Sequence, residues 1–321
     1  MNVWQVLSPG VQTTVQDQGR HGLRHLGVAR AGAMDPAAMA MANRLVGNDE
    51  GDAGLEIALQ GPRLRLPRAC RIALTGAALT AWWNDVPLPM GRPLELPAGE
   101  LKLGAVRGGL RAWLAVAGGI HTSPVLGSRS TDLRGGFGGH DGRALGAGDR
   151  LLIGGGVGVG DSARVRAQGP AFPAWWIDVD DPWTADRHVL RYVPSSCPAA
   201  SALSAQGWRT HADSNRQGLR LTGAVFAAGA GHGVSEPVAV GTLQLPPDGQ
   251  PILLLADAQT VGGYPRLGHV IACDLGRAAQ LRPGDPVHFE PVTLAQARSL
   301  AREHAHRLAR LRIAIAQRLQ G

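Results

Sequence analysis

The chain has 321 residues, a length at which a globular protein usually divides its core between two domains. Its 44% hydrophobic and 18% charged residues exclude extensive disorder, and it has neither an 18-residue apolar run nor a secretory signal, so no membrane span or export is expected. Of the net charge of +7, the segment from Thr293 onward holds +5 (six Arg and one Glu), so the remainder carries only +2 and no nucleic-acid-binding face is expected.

Short strands dominate the predicted secondary structure. Strand-like runs bounded by Gly, Pro or Asp recur along the chain, a pattern typical of closed or sandwiched antiparallel sheets. The runs cover residues 55–66, 71–75, 100–106, 111–116, 150–153, 188–193, 220–226, 252–256 and 287–289. The sequence therefore predicts a mainly β fold with few helices.

Two segments are predicted to be helices. Asp35 as N-cap followed by Pro36 predicts a helix over residues 35–45. Thr293 begins a basic amphipathic helix whose apolar stripe comprises Leu294, Ala297, Leu300, Ala301, Leu308, Leu311 and Ile315. The glycine-rich stretch 154–165 predicts a joint near residue 160, so we expect an N-terminal domain over 1–160, a C-terminal domain over 161–292 and the helix over 293–321.

The cysteines and histidines do not predict a metal site. Cys70, Cys197 and Cys273 lie far apart without CxxC spacing, which indicates reduced core residues in a cytoplasmic protein. His21 and His25 are four residues apart, but glycines on either side argue against a shared helical face.

The first polar stretch is "GVQTTVQDQGRHGLRHLGVARAGAMDP", residues 10–36. Asp17 and Arg20 bracket a glycine turn, and glycines there allow the backbone to approach a ligand closely. Asp17, Arg20 and Asp35 are therefore candidates for a contribution to a site. The alternative is a structural turn network in which Asp17 pairs with an arginine.

The second stretch is "GSRSTDLRGGFGGHDGR", residues 127–143. Arg129, Ser130 and Thr131 precede four glycines in five positions, and hydroxyls, guanidinium groups and glycine amides together can hold an anion. A surface loop without a ligand explains the same residues.

The third stretch is "ADSNRQGLRLTG", residues 212–223. Ser214, Asn215 and Arg216 are candidates for substrate or anion binding. Because Asn and Ser are common turn residues, an Asx turn entering a strand is the competing interpretation.

The fourth stretch, "DAQTVGGYPRLGHV" at residues 257–270, follows an apolar run that suits a buried strand. Burying so many polar groups without partners would cost several kcal/mol, so they either satisfy one another or face a pocket. Polar loops at the ends of strands are frequent locations of functional sites, and we favour a functional role here. The candidates are Asp257, Gln259, Thr260, Gly262, Gly263, Tyr264 and Arg266.

Together these stretches give the chain a resemblance to a known family. It resembles the carboxyltransferase-type proteins that include the C subunit of 5-oxoprolinase, the antagonist of the sporulation kinase inhibitor and the second subunit of allophanate hydrolase, with the urea carboxylase carboxyltransferase domain as a relative. The matching pieces, among them "GSRSTDLRGGFGGHDGRAL", "SNRQGLRLTG" and "ADAQTVGGYPRLGHV", follow the family's order from residue 10 to about 289. Gln217 departs from the methionine that is common in the family.

The resemblance implies two cyclophilin-like β-barrel domains. It also implies partners like 5-oxoprolinase subunits A and B, in a hetero-oligomer that converts 5-oxoproline to glutamate with ATP and Mg²⁺. We expect glycine-rich corners of both barrels to converge on a common hollow. There Asp257 would act as acid/base or metal-side carboxylate, while Tyr264 with the Gly262 and Gly263 amides would donate to an oxyanion. Arg129, Arg216 and Arg266 would bind anionic groups.

Two other functions remain open from the sequence. A biotin-dependent carboxyltransferase acting on urea or a related amide needs similar groups, but the only lysine, Lys102, is not in a Met-Lys-Met context, so no covalent biotin is expected on this chain. A non-enzymatic antagonist that binds a kinase inhibitor is the second alternative, with the basic helix as a docking surface.

Overall fold

The computed structural model describes residues 2–155, 169–177, 188–226 and 234–320. Strands dominate, helices are few, and the predicted fold class of two β-barrel domains with a C-terminal helix is confirmed. The predicted domain boundary at residue 160 lies outside the described residues and stays a prediction.

By its internal contacts the chain forms two compact units. The first unit comprises the described parts of Met1–Gly19, Asp35–Asp181 and Ala309–Gly321, and the second those of Arg20–Met34 and Pro182–Leu308. A short N-terminal segment therefore belongs with the second unit, which the linear domain prediction did not include.

The first unit contains one large antiparallel sheet, with path order β2-β3-β8-β4-β1-β10-β9 and with β5 pairing β6, β7 and β8. Its strands are β1 (Asn2–Ser8), β2 (Gln12–Gln16), β3 (Gly54–Ala58), β4 (Arg63–Leu66), β5 (Cys70–Trp83), β6 (Val86–Leu88), β7 (Leu94–Leu96), β8 (Gly99–Val116), β9 (Ile120–His121) and β10 (Arg150–Ile153).

Two predicted strand limits in this sheet are wrong. The runs 100–106 and 111–116 form the single strand β8, because β5 pairs with it from Val116 back to Leu101 and accommodates two register shifts. Conversely, the run 55–66 forms the two strands β3 and β4. Leu59 adopts a left-handed φ of 64° directly after β3, which turns the chain out of the strand.

Helix α1 (Pro36–Val46) begins as predicted. The Asp35 carboxylate accepts a hydrogen bond from the Ala38 N–H at 3.1 Å, and Pro36 occupies the first turn. Gly47 ends the helix with a φ of 84°, a conformation that suits glycine. The buried Thr75 hydroxyl donates to the Ala38 carbonyl at 2.7 Å and ties the helix to β5.

The second unit contains a closed barrel in the order β11-β18-β15-β16-β13-β12-β19 and a two-stranded ribbon, β14-β17. Within the barrel β11 and β19 are parallel, and the other pairs are antiparallel. The strands are β11 (His188–Pro194), β12 (Trp208–Thr210), β13 (Gly218–Thr222), β14 (Glu236–Pro237), β15 (Thr242–Gln244), β16 (Ile252–Leu254), β17 (Val261–Gly262), β18 (Arg266–Val270) and β19 (Pro286–Pro291), and helix α2 spans Leu275–Ala278.

Aromatic residues organise the core of this barrel. Tyr192 packs edge-on against Phe289 with ring centroids 5.9 Å apart, and Trp208 stacks on Phe226 at 5.4 Å. Met34, only 5% exposed, belongs to the same core, and Ala31 donates its N–H to the Ala256 carbonyl at 3.0 Å. The segment Arg20–Met34 is thereby anchored in the second unit.

Helix α3 (Leu294–Gln320) begins at the predicted cap. The Thr293 hydroxyl accepts from the Gln296 N–H at 3.2 Å, while the Gln296 side chain accepts from the Thr293 N–H at 2.8 Å. Of the predicted apolar stripe, Ile315 is buried, whereas Leu294 in the first turn is 54% exposed. No described helix is long and apolar enough to cross a membrane.

The three cysteines are free thiols. Cys70 is buried in β5, where burial raises the pKa of its thiol and keeps it protonated. Cys197 is half-buried but packs against the core of the second unit, whereas Cys273 is half-buried, so the expected core position is clearest for Cys70.

Candidate functional site

Asp17 is the centre of a closed hydrogen-bond network in the first unit, which we call the serine corner (Asp17, Ser128, Arg129 and Ser130). One carboxylate oxygen accepts from the hydroxyls of Ser128 at 2.6 Å and Ser130 at 2.5 Å and from the Gly19 N–H at 2.8 Å. The other accepts from the Arg129 main-chain N–H at 2.6 Å. Since a hydroxyl has one proton to donate, both serine protons are committed to Asp17.

The neighbouring candidates in the first unit also make internal contacts. The buried Thr131 hydroxyl donates to the Val15 carbonyl at 3.0 Å, and Arg129 Nε donates to the Thr122 carbonyl at 3.1 Å. Asp35 caps helix α1, as described above. The anion-binding roles of Arg129, Ser130 and Thr131 stay predictions, and the contacts give these residues a structural role.

In the second unit Arg216 and Asp257 form a buried pair, 4% and 2% exposed, which we call the arginine clamp. Arg216 Nε and Nη2 donate to the two Asp257 oxygens at 2.9 and 3.0 Å, and Nη2 also donates to the Gly32 carbonyl at 2.6 Å. Such fork-shaped pairing fixes both side chains. The acid/base role of Asp257 stays a prediction, and the geometry favours a positioning role that joins three segments of the chain.

The residues beside Arg216 form a local turn. The Asn215 side-chain oxygen accepts the Gln217 N–H at 2.8 Å, which confirms the Asx-turn interpretation. The Ser214 hydroxyl accepts from the Arg220 N–H at 3.1 Å at the base of the same turn.

Around Gln259 lies a third cluster in the second unit, which we call the donor corner (Arg24, Gln244, Gln259 and Gly262). Arg24 Nη2 donates to the carbonyls of Val238 at 2.7 Å and Gln259 at 2.9 Å. The Gln259 side-chain amide donates to Gln244 Oε1 at 3.4 Å. Gln244 is 1% exposed, and its Nε2 lies so near Gly262 that a Cβ there would approach it to 2.6 Å.

The remaining candidates of the fourth stretch lie at the edge of the same corner. Arg266 is opposite Gln244 in the β15–β18 register and forms an ion pair with Glu236. Gly263 and Tyr264 are half-buried between β17 and β18, while Thr260 is buried, with its carbonyl accepting the Val238 N–H at 2.9 Å.

Of the predicted residues, the structure brings together Arg216 with Asp257, and Gln259 with Gly262 around Gln244. Arg20, only 1% exposed, belongs to the second unit, whereas Asp17 and Asp35 belong to the first. The predicted convergence of corners from both barrels stays a prediction.

Sequence reasoning missed Arg24 and Gln244. Gln244 carried a signal, because a glutamine between leucines in the strand β15 ("TLQL") is a polar residue in an apolar setting. Arg24 carried none, since 214 residues separate it from its partner Val238.

The donor corner offers several N–H groups from a guanidinium and two amides to a ligand oxygen. Pre-positioned donors of this kind bind carboxylates and carbonyl oxygens, and they stabilise negative charge that develops on oxygen during acyl transfer.

Comparisons with known proteins give the chain a family context. The sequence model of the family described as "Carboxyltransferase domain, subdomain A and B" matches residues 26–291. Similar proteins include the C subunit of 5-oxoprolinase from Escherichia coli, 38% identical over 91% of this chain and 92% of that protein, and the one from Haemophilus influenzae, 34% identical over 93% and 94%.

Longer proteins match as well. The urea amidolyase of Lachancea kluyveri is 31% identical over 92% of this chain, which corresponds to 17% of that protein. The crystal structure of the K. lactis urea amidolyase superposes with a TM-score of 0.81 at 27% identity, over 96% of this chain and 20% of that one.

Proposed function

Because the chain belongs to the carboxyltransferase-domain family, we propose that it is the C subunit of an ATP-dependent 5-oxoprolinase complex that opens 5-oxoproline to glutamate. The observation that carries this proposal is the agreement, along nearly the whole chain, with the C subunits of two bacterial 5-oxoprolinases. The partners are subunits A and B of the same complex.

The chemistry of the reaction explains why such a subunit needs the donor corner. A lactam is stabilised by resonance, so water attacks it slowly until its carbonyl oxygen becomes a better acceptor of negative charge. N–H donors held close to that oxygen lower the barrier most when they are fixed in advance. Tyr264 with the Gly262 and Gly263 amides stays the predicted donor set for that oxygen, and Arg24, Gln244 and Gln259 beside it are held by main-chain contacts or by one another and would position the rest of the substrate.

The arginine clamp positions the chain segment that leads into the donor corner. Asp257 and Ala256 precede Gln259 in the chain, and the clamp and the Ala31–Ala256 hydrogen bond fix them to Arg216 and to the segment that carries Arg24. Tyr264 and Arg266, at the edge of the corner, are the remaining candidates for direct contact with the reacting amide.

Mg²⁺ fits the described residues poorly, and no phosphate-binding loop marks an ATP site. The described ranges contain no group of three or more His, Cys, Asp or Glu side chains that could hold a metal ion, and the sequence has no GxxxxGK[ST] loop. We therefore assign nucleotide binding to the partner subunits and the recognition of the amide to this one.

Carboxyl transfer from biotin is the alternative that the fold comparison favours, because the K. lactis urea amidolyase shares the architecture. Lys102 lies within strand β8, with its ammonium 5.4 Å from the centroid of the Trp82 ring, and has no biotin-carrier context. Such a transfer would require a biotinylated partner.

The test is reconstitution of the complex from this chain and its A-like and B-like partners. We expect glutamate to form from 5-oxoproline only when all three chains and ATP are present. Omission of this chain is the matched control. Turnover of urea that depends on bicarbonate and a biotinylated partner, without glutamate formation, would support carboxyl transfer instead. Stable binding to a kinase inhibitor with neither turnover would support the antagonist.

A further inference from the structure

Two buried nitrogen atoms of the donor corner have no acceptor among the described residues. Gln244 Nε2 is one, although its Oε1 accepts from Gln259. Arg24 Nη1 is the other, although Nη2 of the same guanidinium makes two hydrogen bonds. A buried donor without an acceptor loses its hydrogen bonds to water and gains none in the protein, so native proteins contain few such donors. Here two of them belong to side chains that contact Gln259.

Glycine at position 262 allows the main chain to lie directly against the Gln244 amide. A Cβ at this position would lie 2.6 Å from Gln244 Nε2, within van der Waals overlap. Any larger residue would therefore displace the amide that carries the orphan donor.

The charge at the corner is positive. Burial, followed by the nearby charge of Arg30, lowers the pKa of Arg24 below its ordinary value, as expected where two cations lie close together. The nearby carboxylates have other partners, since Glu236 pairs with Arg266 and Asp257 with Arg216. An anionic ligand would relieve both the repulsion and the missing acceptors.

We propose that the donor corner is a carboxylate subsite, in which Arg24 Nη1 and Gln244 Nε2 bind the carboxylate of the amide substrate. The inference rests on the proposed function and names its substrate class: an amide that carries a carboxylate, cyclic or linear, rather than a neutral amide such as urea. The two nitrogens are the donors that lack acceptors at this corner, and a guanidinium is the preferred partner of a carboxylate.

The test compares 5-oxoproline with 2-pyrrolidinone, the same lactam without the carboxylate. Binding to the full chain and to the assembled complex is measured by calorimetry for wild type, Arg24→Gln and Gln244→Leu. Arg220→Gln, an exposed arginine on β13, is the matched control. We expect each corner variant to weaken 5-oxoproline binding about tenfold or more while changing 2-pyrrolidinone binding less than about twofold. In turnover assays KM should rise more than kcat falls.

Further outcomes separate this inference from the proposed function. If the complex forms glutamate and both corner variants keep the wild-type KM, the subsite is wrong and the function stands. If no glutamate forms, but Arg24→Gln weakens the binding of 5-oxoproline or of the linear acid N-acetylglycine, the function is wrong and the subsite stands. Wild-type protein that binds neither acid, or binds both as tightly as its variants do, overturns the subsite. Thermal unfolding of each variant identifies any that fail to fold.

Discussion

The serine corner of the first unit and the donor corner of the second are both clusters of polar residues in glycine-rich surroundings, but they differ in hydrogen-bond balance. In the serine corner one carboxylate accepts four hydrogen bonds, from two hydroxyls and two main-chain N–H groups. In the donor corner two buried nitrogens lack acceptors among the described residues. The first is complete within the protein, and the second is completed by a ligand oxygen.

This difference shows why composition alone separates structural corners from binding corners poorly. Both corners combine an arginine with other polar residues and nearby glycines. What distinguishes them is the count of donors against acceptors, which depends on residues far apart in sequence. Asp17→Asn and Gln244→Leu test whether that count governs the behaviour of each corner, and Asp149→Asn adds a balanced carboxylate outside both.

The largest effect is expected for Asp17→Asn in the serine corner. The amide offers one acceptor oxygen where the carboxylate has two, and its NH₂ group would face donors. We expect the free energy of unfolding to fall by about 3 kcal/mol, as for other buried charged hydrogen-bond networks. Urea denaturation followed by tryptophan fluorescence measures this change.

Asp213→Asn is the matched control for that substitution. The Asp213 side chain is 77% exposed, so its replacement should change stability by less than about 0.5 kcal/mol. Equal effects of the two substitutions would contradict a structural role for the serine corner.

A smaller effect is expected for Asp149→Asn. The carboxylate of Asp149 also has hydrogen-bond donors for both oxygens, but it lies closer to solvent than Asp17. Hydrogen bonds from Arg143 at 2.7 and 2.8 Å, then one from the Gly146 N–H, hold the pKa of Asp149 well below its ordinary range. Since Arg143 is 48% exposed, solvent screens the pair, and we expect a loss of about 1 kcal/mol at pH 7.

The lowered pKa of Asp149 also predicts how the stability difference between wild type and Asp149→Asn changes with pH. A carboxyl whose folded pKa is lowered stabilises the protein above its unfolded pKa of about 4 and loses that contribution as pH falls through the folded value. Wild type and Asp149→Asn should therefore differ at pH 7, and the difference should shrink progressively as the pH falls below about 4. Urea denaturation at several pH values measures it, and a constant gap down to pH 2 would argue against the ion pair.

Local features were predictable from the sequence. The Asp35 cap and the Asn215 turn depend on contacts within three residues; the first was predicted, and the second was the competing interpretation of its stretch. Strand limits were less predictable: Gly108 and Gly109 look like a break in β8, but pairing with β5 spans this region with register shifts that keep the strand continuous.

Most of the donor corner was not predictable, because its parts come together only in the folded chain. Nothing local to residues 20–34 indicates that they belong with the second barrel, where Met34 enters the core and Arg24 reaches Val238. Asp257 drew attention as a charged residue at the end of a strand, and the structure pairs it with Arg216. Gln259 and Gly262 were candidates, but the unpaired donors are on Arg24 and Gln244.

The smallest change in stability is expected for Gln244→Leu, and it is the sharpest test of the comparison. Leucine removes a buried donor that has no acceptor in the described structure, so the lost hydrogen bond to Gln259 is offset by relief from the desolvation cost. The free energy of unfolding should stay within about 1 kcal/mol of wild type.

The comparison substitution for Gln244→Leu is Gln16→Leu in the first unit, where Gln16 Nε2 donates to Thr14 and to the Thr131 carbonyl, both at 3.1 Å. That substitution also removes a buried atom without a partner, Gln16 Oε1, but it breaks two hydrogen bonds where Gln244→Leu breaks one, and it should cost about 2 kcal/mol. If Gln244→Leu proves as destabilising as Gln16→Leu in urea denaturation, Gln244 is part of a complete structural network, and the donor corner does not differ in kind from the serine corner.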